Sequence, residues 1–119
     1  MNWNKLESES DLSDLINNST TNTDKYFIIF KHSTRCPVSA MSLYRLEKNW
    51  SDLKEFVSPY FLDLIKYRSV SNKVEEILAV RHESPQVLLI KNGNCIYSQS
   101  HHLISVDDLN QQINIYSSN

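Results

Sequence analysis

Apolar residues in this chain alternate between short unbroken runs and wider, helical spacings. Leu12, Leu15 and Ile16 recur at helical spacing and predict an amphipathic N-terminal helix. The polar stretch NNSTTNTD, residues 17–24, then reads as a surface loop. YFIIF, Tyr26 to Phe30, is apolar on both faces and too short for a helix, so it predicts a buried central strand. From Pro37 the period lengthens. Ala40, Leu43, Tyr44, Leu46 and Trp50 mark the inward face of a helix, with Ser42, Arg45 and Lys48 outward. YFLDLI, Tyr60 to Ile65, predicts a second strand and completes a unit of βαβ length.

Val70, Val74, Ile77 and Leu78 predict the next helix. QVLLI and CIYSQ flank Lys91-Asn92-Gly93-Asn94, and Asn-Gly between two apolar runs is a strong hairpin signal, because a type I′ turn needs φ > 0 at both central residues. Gly93 is the only glycine in the protein, which sharpens that placement. Ser105 to Asp108 reads as a capping box opening a last helix, with Leu109, Ile113 and Tyr116 inward. The expected fold is α/β, one domain over residues 1–119. Its N-terminal helix and loop reach about residue 25, and a core of residues 26–116 holds a mixed four-stranded sheet flanked by helices on both faces.

A net charge of −2 offers no field for nucleic acid or an anionic membrane, and neither is expected as a partner. The N-terminus is polar from its second residue and the longest apolar runs fall far short of a membrane span, so a cytoplasmic protein is expected. Two cysteines do not make a disulfide framework.

The chemistry centres on KHSTRCPVS, Lys31 to Ser39, where the first strand gives way to the helix. Proline is favoured at the first helical position, where its missing N–H costs nothing, so Pro37 puts Cys36 at the N-cap. An N-cap side chain accepts hydrogen bonds from the N–H groups two and three residues on, here Val38 and Ser39. It also sits at the positive end of the helix dipole. Both effects favour the thiolate, which is the nucleophile. Arg35 and His32 add neighbouring charge or polarity, although His32 reads equally well as an ordinary packed or surface histidine.

Other cysteine chemistries fit less well. A cysteine phosphatase needs arginine where this chain has Ser42. A papain-like site needs a His/Asn pair on a larger scaffold. Zinc needs three or four ligands at defined spacing, which two cysteines and four scattered histidines do not offer; no metal is expected. A dithiol redox site would carry Cys-x-x-Cys at this point, but here the motif is Cys36-Pro37-Val38-Ser39. Ser39 cannot form a disulfide, though its hydroxyl can hydrogen-bond the Cys36 thiolate. If Pro85 lies beside the site and residues 86–91 form a strand leading away, Cys95 lies beyond a strand of roughly 20 Å, against the 7 Å or so that a disulfide tolerates, and reads as a packing residue. Cys36 is therefore expected to act alone, taking a small thiol from a mixed disulfide and needing a second small thiol to regenerate it.

Together, KHSTRCPVS, YFLDLIKYRSVSNKV, VRHESPQVLLIKNG and SHHL resemble the bacterial monothiol bacilliredoxins, thioredoxin-like proteins of the bacillithiol system. The likeness runs from about Tyr26 to the C-terminal helix. It implies a thioredoxin-like fold, with Cys36 accepting bacillithiol, Pro37 and Ser39 completing the catalytic motif, and Ser84-Pro85 forming a cis-proline loop whose backbone pairs with the incoming disulfide. It implies bacillithiol as co-substrate with no bound cofactor, bacillithiolated client proteins as partners, and a monomer or weak dimer. The malate carboxylates of bacillithiol want cationic or N–H donors. Arg35, His32 and Lys31 are candidates, with Arg68 across the cleft, and the hairpin register brings His101 and His102 level with Pro85. Two alternatives stay open: a glutaredoxin-like protein using another small thiol or an iron–sulfur cluster, and a non-catalytic thioredoxin-like redox sensor or adaptor.

Overall fold

In the computed structural model, which describes residues 1–117, all seven residues of β2 (Tyr26–His32) are buried. The reason is position: β2 lies at the middle of a sheet covered on both faces, where a strand has no solvent side. The other strands are β1 (Asn4–Lys5), β3 (Val57–Asp63), β4 (Gln86–Lys91) and β5 (Asn94–Ser100), and the helices are α1 (Glu9–Thr21), α2 (Pro37–Asn49), α3 (Arg68–Leu78) and α4 (Val106–Ser117). The sheet order is β1-β3-β2-β4-β5; β3 runs parallel to β1 and β2, while β4 is antiparallel to β2 and to β5.

Alternation along β2 builds the two halves of the core. Phe27 and Ile29 pack with Leu12 and Leu15 of α1 and Val70, Val74 and Leu78 of α3. Tyr26, Ile28 and Phe30 pack on the other face with Leu46 of α2 and Leu109 and Ile113 of α4. The sheet has five strands rather than the expected four. Asn4 and Lys5 form a two-residue polar edge, too short to show a period, paired with Tyr60 and Phe61.

Several elements depart from their sequence reading. The polar stretch after Ile16 is not a loop: α1 continues to Thr21. Ser19 is buried there and its Oγ accepts the Gly93 N–H at 2.7 Å, so tertiary contact carries a helix end that propensity alone would not. β3 starts at Val57 and ends at Asp63, because its pairing with β2 begins at Tyr26↔Val57. Ile77 and Tyr116, expected inward, are exposed.

The largest correction concerns α2. Ala40 and Tyr44 face solvent, whereas Ser39 and Ser42 are fully buried. The helix lies on its neighbours through small hydroxyl residues, and Ser42 Oγ donates to the His101 carbonyl at 3.0 Å. A buried serine whose hydroxyl is satisfied behaves as an inward residue, which a hydrophobic period cannot show.

The β4–β5 hairpin turns as expected, with Asn92 at φ 51° and Gly93 at φ 76°. Ser105 caps α4, its Oγ accepting the Asp108 N–H at 3.1 Å. No described helix is long and apolar enough to cross a membrane.

Candidate active site

The site forms at the carboxyl end of β2. Beyond His32 the chain makes a tight turn, closed by the Cys36 N–H donating to the Ser33 carbonyl at 3.1 Å, and enters α2 at Pro37. Cys36 is the N-cap residue, in extended conformation, and its carbonyl accepts the first helical hydrogen bond, from Ala40 N–H at 3.2 Å. The sulfur is half-buried and free. It accepts no cap hydrogen bond, contrary to expectation; sulfur is a weak acceptor beside the oxygens that usually cap helices. The dipole of α2, worth about 0.3–1 kcal/mol to an anion there, is the local feature that remains.

Ser39 does not turn to Cys36 either. Its buried Oγ is 2.7 Å from His32 Nδ1 and accepts the Ser33 N–H at 3.0 Å. The hydroxyl thus ties the end of β2 and the turn to the third position of α2. His32, expected beside the substrate, is instead 8% exposed. Its ring stacks on Phe30 at 5.8 Å and lies 5.4 Å from Phe61. Burial lowers its pKa below the ordinary imidazole value, partly opposed by the Asp63 carboxylate, so the ring is neutral at pH 7.

Register assembles the opposite wall. Lys31 pairs with Gln86, so β4 begins where β2 ends, immediately after Pro85. The Ser84–Pro85 peptide bond is cis. Pro85 O accepts the His101 N–H at 2.9 Å, as the hairpin register predicts. His101 has φ 57°, the left-handed region, and its carbonyl is held by Ser42 of α2. Arg45 Nη2 donates to the His102 carbonyl at 3.1 Å. A shallow depression of about 300 Å³, lined by Pro37, Val38, Met41, Arg45 and His102, lies between α2 and this segment. A larger hollow of about 600 Å³ around Trp50, Phe56 and Pro59 holds neither cysteine nor histidine.

Register and hydrogen bonding therefore bring Cys36, Pro37, Pro85 and His101 to one end of the sheet. Arg35 is exposed in the turn. Lys31 is not available to a ligand: it is fully buried and directed at His82 Nδ1, 3.1 Å away. Arg68 belongs electrostatically to that same group, since it acts on Lys31 and His82. Ser84 Oγ is buried with no hydrogen-bond partner among the described residues. Cys95 packs with the α1–α3 core and its thiol donates to the Tyr97 carbonyl at 3.3 Å, and burial raises its pKa. Among the described residues no cluster of His, Cys, Asp and Glu could hold a metal. Sequence reasoning missed Ser42, assigned to the wrong face of α2, and His82, which no local pattern marks.

The mixed sheet, the proline-started helix after its central strand and the cis-proline at the head of β4 define a thioredoxin-fold protein with serine at the position of a second thiol. Solved structures agree on the fold. An assumed oxidoreductase with a thioredoxin fold is 28% identical with a TM-score of 0.77, covering 91% of this chain and 90% of its own. The thioredoxin from Trypanosoma brucei brucei is 10% identical with a TM-score of 0.75, covering 99% and 93%. The oxidised thioredoxin from Plasmodium falciparum is 17% identical with a TM-score of 0.67, covering 97% and 98%. The model of the family described as Monothiol bacilliredoxin BrxC matches residues 4–109, and the chain belongs to that family.

Proposed function

We propose that this protein is a monothiol thiol–disulfide oxidoreductase that removes bacillithiol from protein mixed disulfides. The observation that carries the reading is the isolation of Cys36: a half-exposed sulfur at a helix mouth, with Ser39 where a resolving thiol would stand. The Cys36 thiolate attacks the bacillithiol sulfur of a client mixed disulfide. The client sulfur leaves as a thiolate and takes a proton from water, and Cys36 becomes disulfide-bonded to bacillithiol. A second bacillithiol thiolate then attacks the bacillithiol sulfur of that adduct, freeing Cys36 and releasing the symmetric small-molecule disulfide, so the two electrons come from bacillithiol.

Pro37 fixes the start of α2 and the helix-mouth position of the sulfur. Ser84, held by the cis bond to Pro85, offers its backbone to the substrate. Arg35 and His101, both exposed, are the groups for the malate carboxylates. His32 acts from beneath through Ser39 rather than on the substrate.

The test offers purified protein a bacillithiolated reporter, with Cys36→Ser and Cys95→Ser variants alongside. Release of the reporter thiol is expected to require Cys36 and ignore Cys95, with a bacillithiol adduct on Cys36 by mass spectrometry when the second thiol is withheld. Loss of activity in the Cys95 variant alone would reverse the two cysteines. Equal turnover of other small-thiol mixed disulfides would move the reading to a monothiol protein of broader thiol use.

A further inference from the structure

A second group of polar side chains lies on the α3 face of the sheet, where the exchange chemistry does not use it. Lys31 is fully buried with Nζ 3.1 Å from His82 Nδ1, its one acceptor among the described residues. Ser71 of α3, also buried, has Oγ 3.3 Å from the same nitrogen, and the His82 backbone N–H donates to Glu75 Oε2. An ammonium carries donors only, so His82 Nδ1 accepts and the ring proton sits on Nε2.

His82 lies within residues 79–85, the irregular segment that ends at Ser84-Pro85. The other ties of this segment lead to the same place. Gln86, the register partner of Lys31, donates from Nε2 to the Arg81 carbonyl at 3.0 Å and accepts the Glu83 N–H at 3.4 Å. The loop that brings Pro85 to the Cys36 end of the sheet is thus fastened to β4 through Gln86 and to α3 through the His82 backbone N–H, while its side-chain tie to β2 runs through the His82 imidazole.

We propose that His82 is a positioning residue, which when unprotonated latches the 79–85 loop to Lys31 and holds Ser84 and Pro85 in place for the mixed disulfide, and when protonated lets them go. The functional half of this inference rests on the exchange reading above; the latch itself does not. Protonation converts Nδ1 from acceptor to donor, facing a buried group that can only donate. Two cations then stand a hydrogen bond apart. Lys31 faces His82 from β2, Arg68 and Glu75 from α3, and Glu83 from its own loop. The two carboxylates offset the cations only in part: burial first, then Lys31 and Arg68, hold His82 below the ordinary imidazole pKa. The latch is closed at neutral pH and opens in acid.

Backbone hydrogen exchange over residues 79–86, at about pH 7 and about pH 5 and expressed as protection factors, reads the loop without reference to activity. The comparison is with His82→Asn, whose amide oxygen stands near the Nδ1 position and accepts from Lys31 but does not titrate. Wild type is expected to lose protection several-fold in acid, whereas His82→Asn stays flat. The KM for a bacillithiolated reporter should rise in acid for wild type relative to His82→Asn. Lys31→Met is the second variant: without the donor its loop is expected to be less protected at neutral pH and indifferent to acid. Equal acid loosening in wild type and either variant overturns the latch, whatever the activity shows. Loosening confined to wild type with no turnover of the reporter keeps the latch and sinks the exchange reading instead.

Discussion

Lys31→Met removes the one fully buried charge among the described residues. Burial, assisted by Arg68 and opposed by Glu75, lowers the amine from 10.5 to about 8. At roughly 1.36 kcal/mol per pKa unit, that corresponds to a penalty of about 3 kcal/mol on folding with the lysine charged. The sign follows from proton counting. Between pH 8 and 10.5 the unfolded chain holds a proton on Lys31 that the folded chain has lost, so stability rises with pH across that window. The penalty is complete below the folded pKa and gone above the unfolded one. Methionine keeps the length and apolar stem of lysine and forfeits the bond to His82, worth about 1 kcal/mol. Urea denaturation at neutral pH should therefore find Lys31→Met more stable than wild type by about 2 kcal/mol, with the gap closing as pH rises toward 10.5. Cys95 and Tyr97, whose pKa values burial raises, are common to both proteins and cancel in the difference. A variant less stable than wild type at neutral pH, or a gap that ignores pH, would refute the reasoning. The same substitution is expected to loosen the Pro85 loop, so one change should raise stability and weaken function, the usual relation where a functional site carries an unfavourable residue.

Gly93→Ala should destabilise by about 1–2 kcal/mol, because φ is 76° and an added Cβ would meet Thr20 Cγ2 at 2.7 Å; thermal unfolding measures it. Ser39→Ala should cost about 2 kcal/mol in urea denaturation, since it orphans both the Ser33 N–H and His32 Nδ1, yet Cys36 should still form its small-thiol adduct.

The layout of this fold was legible because its runs obey simple periods. YFIIF could only be a strand buried on both faces, and Asn92-Gly93 could only be a tight turn. Cys36 was legible for a related reason: a proline after a strand fixes where the helix starts, and hence which residue stands at its mouth. What escaped was set by tertiary hydrogen bonds. Ser42 reads as a solvent-facing residue until the His101 carbonyl is known to lie beneath it. Ser19 reads as loop until Gly93 arrives with an N–H. Lys31 and His32 look like the hydrophilic end of a strand, yet each finds a side-chain partner distant from the strand, His82 and Ser39. No local period encodes a partner that is distant in sequence.

That distinction also bears on why the site has one thiol. If Ser39 were an idle substitute for a cysteine, its hydroxyl would be free to face the sulfur of Cys36. Instead it fastens β2 and the turn to α2, with His32 beneath as its partner. A thiol at that position is a weak donor and a weaker acceptor, and would leave the Ser33 N–H and the imidazole poorly met. The second position of the motif is therefore occupied by structure, and in the proposed reaction an adduct on Cys36 would have no internal thiol to displace it. Cys95 does not fill the gap, because it packs against the α1–α3 core beside the hairpin turn, away from the end of β4 that Pro85 begins. In the proposed reaction, regeneration then falls to a small thiol in solution. Cys36 itself is half-buried, and Arg35 and His101 at this end of the sheet are exposed.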